Sequence, residues 1–310
     1  MRKLIVVVIA VLFISSCSAI VKKDSSLDNG LVPLLTFVFD DGNDTDYLVA
    51  REIFKQHQAT ASFAITTGWI GEKDYLTASQ LLELQKDGFE IMSHTVSHPN
   101  LKSLDEKQIE HELSSSKKTL EAMGVRVKNL VYPYNKNNSL VREVAAKHYR
   151  SARGGRRMMN PAQPEQYELK SYPANHNVNK IKSLIDRANS ENKWLILYYH
   201  NLDIKVRVSP DNTGTFLKGE ELLFSHSGAR GRYSKELFSW LYFLPVAGTP
   251  QAGDTIIGQT SKATCRLDEI IYNDKVDIGG LIEYTHSRYP DMKIVTIDQG
   301  LDIYKVRSEE

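Results

Sequence analysis

Thr36-Phe37-Val38-Phe39-Asp40-Asp41-Gly42 closes an apolar run that begins at Leu34 and stops abruptly at two acids and a glycine. A short apolar run bounded by a turn signal reads as a buried strand. Adjacent carboxylates at a strand end repel each other and are costly to bury. A metal ion, or a division into one ligand and one base, removes that cost. Asp-Gly is also an ordinary turn signal, so the meaning of the pair depends on the rest of the chain.

Helical and strand-like segments alternate after this turn. Helical spacing covers 47–58, 77–87, about 105–123, about 139–148 and 178–191. Strand-like runs cover 60–66, 89–92, 129–132, about 149–152 and the very apolar 194–199. Such alternation, with polar residues just past the strand ends, predicts a parallel α/β barrel. The pattern breaks between Asn201 and Arg266, a glycine-rich stretch carrying Arg230 and Arg232. It reads as an insertion of loops plus one amphipathic helix over 234–244, leaving the strand end beside the site and so overhanging it. A helix over 267–288, a strand over 293–297 and a last strand near 301–306 follow.

With 310 residues, 41% hydrophobic and 25% charged, the chain has the composition of a soluble globular protein. Its net charge of +1 excludes a global basic field for nucleic acid. At the N-terminus, Arg2 and Lys3 precede an apolar run from Leu4 to Ile14, then Ser15-Ser16-Cys17. This predicts an export signal over 1–16, and its end resembles a bacterial lipoprotein box in which Cys17 takes a lipid. Residues 17–32 read as a polar tether, and 33–310 as the folded part. Lipidation would leave Cys265 the one other cysteine, with no intramolecular disulfide. The expectation is an exported, membrane-anchored lipoprotein of a bacterial cell envelope.

Ser93-His94-Thr95-Val96-Ser97-His98 places two imidazoles four residues apart, a spacing that on one helical turn lets them share a metal ion. Joined with Asp41 they make an Asp-His-His set with a position left open, the mark of a catalytic rather than structural site. Tyr132-Pro133-Tyr134-Asn135 follows a strand, and its proline stiffens a turn whose next N–H could face a reacting oxygen. Leu195 to His200 ends a strongly apolar strand on a histidine.

In this order the pieces resemble the polysaccharide deacetylase family, also called NodB-like or carbohydrate esterase family 4. Thr36–Gly42 is similar to its T-F-D-D-G motif, His94–His98 to H-[ST]-x-x-H, Tyr132–Asn135 to R-x-P-[YF]-G and Leu195–His200 to L-x-H. The resemblance implies an α/β fold, a distorted (β/α) barrel of the NodB-homology type with an insertion before the last helix and strands. It implies metal-dependent hydrolysis of N-acetyl, less often O-acetyl, groups on a polysaccharide. Asp41, His94 and His98 would hold Zn2+ or another divalent transition metal. Asp40 would be the base, the backbone N–H of Tyr134 an oxyanion donor, and His200 the acid for the departing amine.

Two departures stand out. The family's arginine before the Pro-Tyr pair is Val131 here, and its glycine is Asn135. A further family motif, whose aspartate and tryptophan tune the acid histidine, has no clear counterpart. Arg153, following a strand, is a candidate to supply the missing cation to Asp40. Tyr199, Trp69 and Tyr134 are candidate faces for a sugar ring. Competing functions are a carbohydrate-binding lipoprotein without turnover, motivated by Val131 and the missing further motif, and an amidase acting on a small or lipid-linked amide. The anchor is testable by itself: a Cys17→Ser variant with export intact should leave the detergent phase in a partition assay. Partitioning like the parent would remove the lipid as the cause of tethering.

Overall fold

The computed structural model describes residues 32–174, 177–200, 202, 204–247, 250–271 and 277–304. Cys17, the signal segment and nearly all of the expected tether lie outside these residues. At the centre is β1 (Leu34–Phe39), in which every side chain is buried. A strand with no exposed face needs neighbours on both edges and cover on both sides, which the chain then supplies.

A π-helical turn (Asp46–Ala50) runs into α1 (Arg51–Gln56), followed by β2 (Ser62–Ile65), α2 (Ala78–Lys86), β3 (Glu90–Ser93) and α3 (Glu106–Ala122). Then come β4 (Val127–Val131), α4 (Ser139–Ala146), β5 (Ser151–Arg153), β6 (Tyr172–Pro173), α5 (Val178–Ser190) and β7 (Trp194–Tyr199). The strands are parallel in the order β5-β4-β3-β2-β1-β7-β6. They form a curled sheet, a distorted (β/α) barrel with β5 and β6 at its two ends.

Local chemistry sets the helix limits. Thr77 with Gln80, and Asp105 with Gln108, form reciprocal capping boxes that satisfy the first free N–H groups of α2 and α3. The stripe Ile109, Leu113, Ser116 and Leu120 of α3 is fully buried, and the Ser116 and Ser93 hydroxyls meet at 2.8 Å. Each large apolar side chain so buried contributes roughly 1.5–3 kcal/mol.

The insertion is a β structure. β8 (Ile204–Val208), β9 (Glu221–Phe224), β10 (Arg230–Leu237), β11 (Trp240–Ala247), β12 (Thr255–Gly258) and β13 (Thr264–Ile271) close an antiparallel barrel in the order β10-β11-β8-β13-β12-β9. This corrects the expected loops with a helix over 234–244, which is a hairpin instead. Alternation of inward Leu241 and Phe243 with outward Trp240 and Tyr242 is a strand period, masked by the adjacent apolar residues Leu237, Phe238, Trp240 and Leu241. The barrel has its own core, including Val206, Leu222, Phe224, Phe243 and Leu267. Cys265 packs in it as a thiol that burial pushes up to about 12, inert at neutral pH.

Lys218, in the barrel's β8–β9 loop, pairs with Asp74 and with Asp44 at 3.5 Å. The insertion therefore rests on the segment directly after Asp41. Beyond it lie α6 (Ile278–Arg288), β14 (Lys293–Ile294), which pairs with the start of β1, and α7 (Ile297–Ile303). The expected helix over 267–288 thus begins only at Ile278, since 264–271 is a barrel strand. The expected last strand near 301–306 is, in its described part, the end of α7, capped by a Thr296–Gln299 box. No helix among the described residues is long and apolar enough to cross a membrane.

Phe243 is fully buried, its ring 4.9 Å from that of Phe224. Phe243→Ala should cost about 3–5 kcal/mol in urea denaturation. A loss below about 1 kcal/mol would contradict a packed barrel core.

Candidate active site

Because the strands are parallel, their C-terminal ends meet along one rim. Asp40 and Asp41 follow β1, His94 to His98 follow β3, Tyr132 to Asn135 follow β4, Arg153 ends β5 and His200 follows β7. The rim brings all of the sequence-derived candidates to one edge of the sheet.

Asp41 and Gly42 both take left-handed backbone, with φ of +81° and +77°. Glycine adopts this freely and an aspartate pays for it in strain, a cost found mostly where a side chain must be aimed. Asp41 Oδ1 lies 3.5 Å from Nε2 of His94 and 3.5 Å from Nε2 of His98. The ligand atoms of the three residues lie within 4.8 Å of one another. The imidazoles do not sit on a helical turn, which corrects the geometry expected from their spacing. His94 directly follows β3, and Thr95 and His98 are left-handed loop residues with φ of +70° and +58°.

Glu112 of α3 holds that loop. Its carboxylate accepts the N–H of Val96 at 2.8 Å, the N–H of Ser97 at 3.0 Å and the Ser97 hydroxyl at 2.6 Å. Gly68 N–H also donates to the Val96 carbonyl at 2.8 Å, an approach at which a Cβ would come within 2.7 Å of that oxygen. His94 Nδ1–H donates to the Val131 carbonyl at 2.7 Å, which leaves the Nε2 lone pair toward Asp41.

The donor set fits a divalent ion. Asp41 Oδ1 is buried without a hydrogen-bond partner, an orphan that a cation would satisfy. Burial presses the Asp41 carboxyl upward, but the polar contact and charge of His94, then the charges of His200 and His98, outweigh it and keep the group below its ordinary value. Burial and then the neighbouring His94 hold His98 below the usual imidazole range despite Asp41 and Asp40. The carboxylate and the neutral imidazole are the forms that bind metal.

Asp40 is buried against Arg153, whose side chain is fully buried. Arg153 Nη2 lies 2.6 Å from Asp40 Oδ1 and 2.5 Å from Oδ2. Its guanidinium rests 4.8 Å over the Tyr198 ring, and Nη1 donates to Asn135 Oδ1 and to Ser171 Oγ. Val131 and Arg153 are register partners on β4 and β5. The cation missing at Val131 therefore stands at the same height on the next strand. Asn135, where the family has glycine, takes a left-handed φ of +55° and also holds Arg153.

Tyr134 is left-handed too and 59% exposed, its ring 4.7 Å from that of His98. Trp69 packs between Tyr75 at 5.0 Å and His98 at 5.4 Å. Tyr199 corrects the expectation of a sugar face: it is a core residue, 3% exposed and stacked on Phe39. His200 is exposed beside Tyr198, and its charge acts on Asp41. Arg230 is paired with Glu221 on the barrel. Sequence reasoning missed Glu112, an acid on an ordinary helix face. It also missed Asp46, which is fully buried with both carboxylate oxygens unpartnered. Burial, and then Asp41, Asp40 and Asp44, push the Asp46 carboxyl well above the usual range.

Residues 31–151 match the polysaccharide deacetylase family profile. The polysaccharide deacetylase-type protein YxkH of Bacillus subtilis is 31% identical over 110 residues, 35% of this chain and 39% of that protein. A chitooligosaccharide deacetylase of Azorhizobium caulinodans is 37% identical over 86 residues, 27% of this chain and 38% of that protein. The matches thus span about two fifths of each relative. In fold, the chain is similar to the Xyl-CE4 domain of a multidomain xylanase from the hindgut metagenome of Trinervitermes trinervoides. The TM-score is 0.51 at 12% identity, covering 90% of this chain and 94% of that one.

Removing one partner of a buried ion pair strands the other. Arg153→Ala should therefore cost about 3–5 kcal/mol in urea denaturation. Pairing Arg153→Met with Asp40→Asn should recover part of that loss, and equal losses for the single and double variants would contradict the coupling.

Proposed function

Residues 31–151 match the polysaccharide deacetylase family profile, and on that premise we propose that the chain is a metal-dependent N-deacetylase of a polysaccharide. The polymer is a cell-surface or cell-wall glycan containing N-acetylhexosamine, and the reaction turns amide and water into free amine and acetate. One observation carries the reading: Asp41, His94 and His98 converge on one point next to a buried Asp40–Arg153 pair. A pure binding module has no need of that arrangement. Of the two grounds for a reading without turnover, Arg153 beside Asp40 answers the one at Val131, while the motif that would tune His200 still has no counterpart.

Asp41, His94 and His98 hold the ion, zinc or another divalent transition metal. When bound, it supplies Lewis-acid polarisation of the acetyl carbonyl and lowers the pKa of water. Asp40 takes the proton of the attacking water, its carboxylate oriented by Arg153. The backbone N–H of Tyr134 donates to the oxygen on which negative charge develops. His200 gives a proton to the departing nitrogen, a task suited to imidazole near neutral pH. We place the protein in a bacterial cell envelope, exported and anchored to the membrane through a lipid on Cys17.

The test is acetate release by metal-stripped and zinc-reconstituted protein. Substrates are N-acetylglucosamine oligomers and a peptidoglycan digest. Asp40→Asn should lower turnover about 10²–10⁴-fold with metal content nearly intact, and His94→Ala should lose the metal while keeping the fold. No acetate from any glycan by the zinc-loaded parent would sink the reading. An Asp40→Asn variant as active as the parent would sink the assignment of the base.

A further inference from the structure

The tip of the β10–β11 hairpin carries residues that neither the barrel core nor the rim site uses. Phe238 is 90% exposed and its neighbour Leu237 is 53% exposed. Phe238 also has a φ of +56°. In a two-residue hairpin turn that position belongs to Gly or Asn, and a bulky aromatic there is strained. Backbone strain and an aromatic ring held in water are both unfavourable, so an isolated barrel has no reason to keep Phe238.

The register shows what surrounds the tip. Leu237 stands opposite Trp240, Trp240 opposite Arg207, and Lys235 and Lys205 both opposite Tyr242. Alternating with them, Leu241 and Val206 fill the barrel core, so Lys205, Arg207, Lys235, Leu237, Trp240 and Tyr242 lie on the outer face. Lys205 Nζ is 3.9 Å from the Trp240 ring centre and the Arg207 guanidinium 4.9 Å from it. Glu269, 3.5 Å from Arg207 and itself exposed, is the acid paired there. An apolar tip is thus followed by a half-exposed tryptophan and a collar of three cations.

We propose that this hairpin tip inserts into the interface of an anionic lipid bilayer. Leu237 and Phe238 enter the headgroup–acyl boundary, Trp240 sits at headgroup level, and Lys205, Arg207 and Lys235 face lipid phosphates. The order apolar, aromatic, basic along one protrusion is the order of environments met on entering a bilayer. A soluble glycan is the poorer occupant. Sugars stack on a bare aromatic face, and Lys205 already covers that of Trp240. The contact is separate from any lipid on Cys17 and from the rim chemistry.

The experiment measures tryptophan fluorescence of the full chain, and of Cys17→Ser, with vesicles of brominated phosphatidylcholine and phosphatidylglycerol. Trp240→Phe isolates the signal of Trp240, since Trp194 is fully buried and Trp69 lies at the rim. The expected result is quenching of Trp240, weakened by salt and lost with phosphatidylcholine alone. In a Leu237→Ser, Phe238→Ser double variant the apparent affinity should fall about tenfold or more, with acetate release and circular dichroism unchanged. Absence of Trp240 quenching, or equal quenching in the tip variant, would overturn the proposal. A response of Trp240 to soluble glycan oligomers with none to vesicles would overturn it in favour of a glycan face.

Discussion

Asp40 and Arg153 form a fully desolvated ion pair, and the geometry of the rim follows from keeping it intact. A buried pair repays its desolvation only when the remaining hydrogen-bonding groups are satisfied and the approach is close. The chain meets that demand at both terminal nitrogens of Arg153 by drawing on several segments, and leaves its Nε buried without a partner. Asp40 comes from β1, Arg153 from β5, Asn135 and Ser171 supply oxygens to Nη1, and Tyr198 of β7 lies beneath the guanidinium. Loosening any of these segments would leave two charges out of water with poor partners.

The same constraint explains how Asp40 keeps a cation beside it although the position before the Pro-Tyr pair is Val131. In a parallel sheet, residues in register on adjacent strands project at the same height, and Val131 and Arg153 are such a pair. A cation moved from one strand to the next still reaches the same carboxylate. The vacated position keeps a task, since the Val131 carbonyl fixes the tautomer of His94. The three candidate ligands depend on backbone that the sequence alone disfavours, with positive φ at Asp41, Thr95 and His98. Glu112 and Gly68 supply the hydrogen bonds that hold the loop in that state.

The parallel sheet was legible because its strands are short apolar runs ending at polar residues, and its longer helices carry capping signals. The expected helix over about 105–123 matches α3, Glu106–Ala122, to within a residue at each end. The candidate ligand set was legible for a reason that proved partly wrong: His94 and His98 converge through left-handed loop residues, not through a helical turn. Arg153 had only its place after a strand to commend it. Glu112 and Asp46 had no local signal at all, because an acid on a helix is ordinary until its surroundings are known. The end of the chain was misread for a similar reason. Leu301 and Ile303 suit a short strand as well as a helix, and it is the Thr296 cap that decides.

The insertion failed differently, and the failure is informative. A half-buried strand announces itself by apolar residues on one face and polar ones on the other. At the β10–β11 tip that contrast is lost, because Leu237, Phe238 and Trp240 are apolar and directed away from the barrel core while Leu241 fills it. Apolar residues on both sides of a strand usually mean cover on both sides, as in β1. Here Leu237 and Phe238 are exposed on the second side, and the cations Lys205, Arg207 and Lys235 share it. The residues that hid the strand period from the sequence are therefore those whose exposure the folded barrel leaves unexplained, and the same chemistry accounts for both.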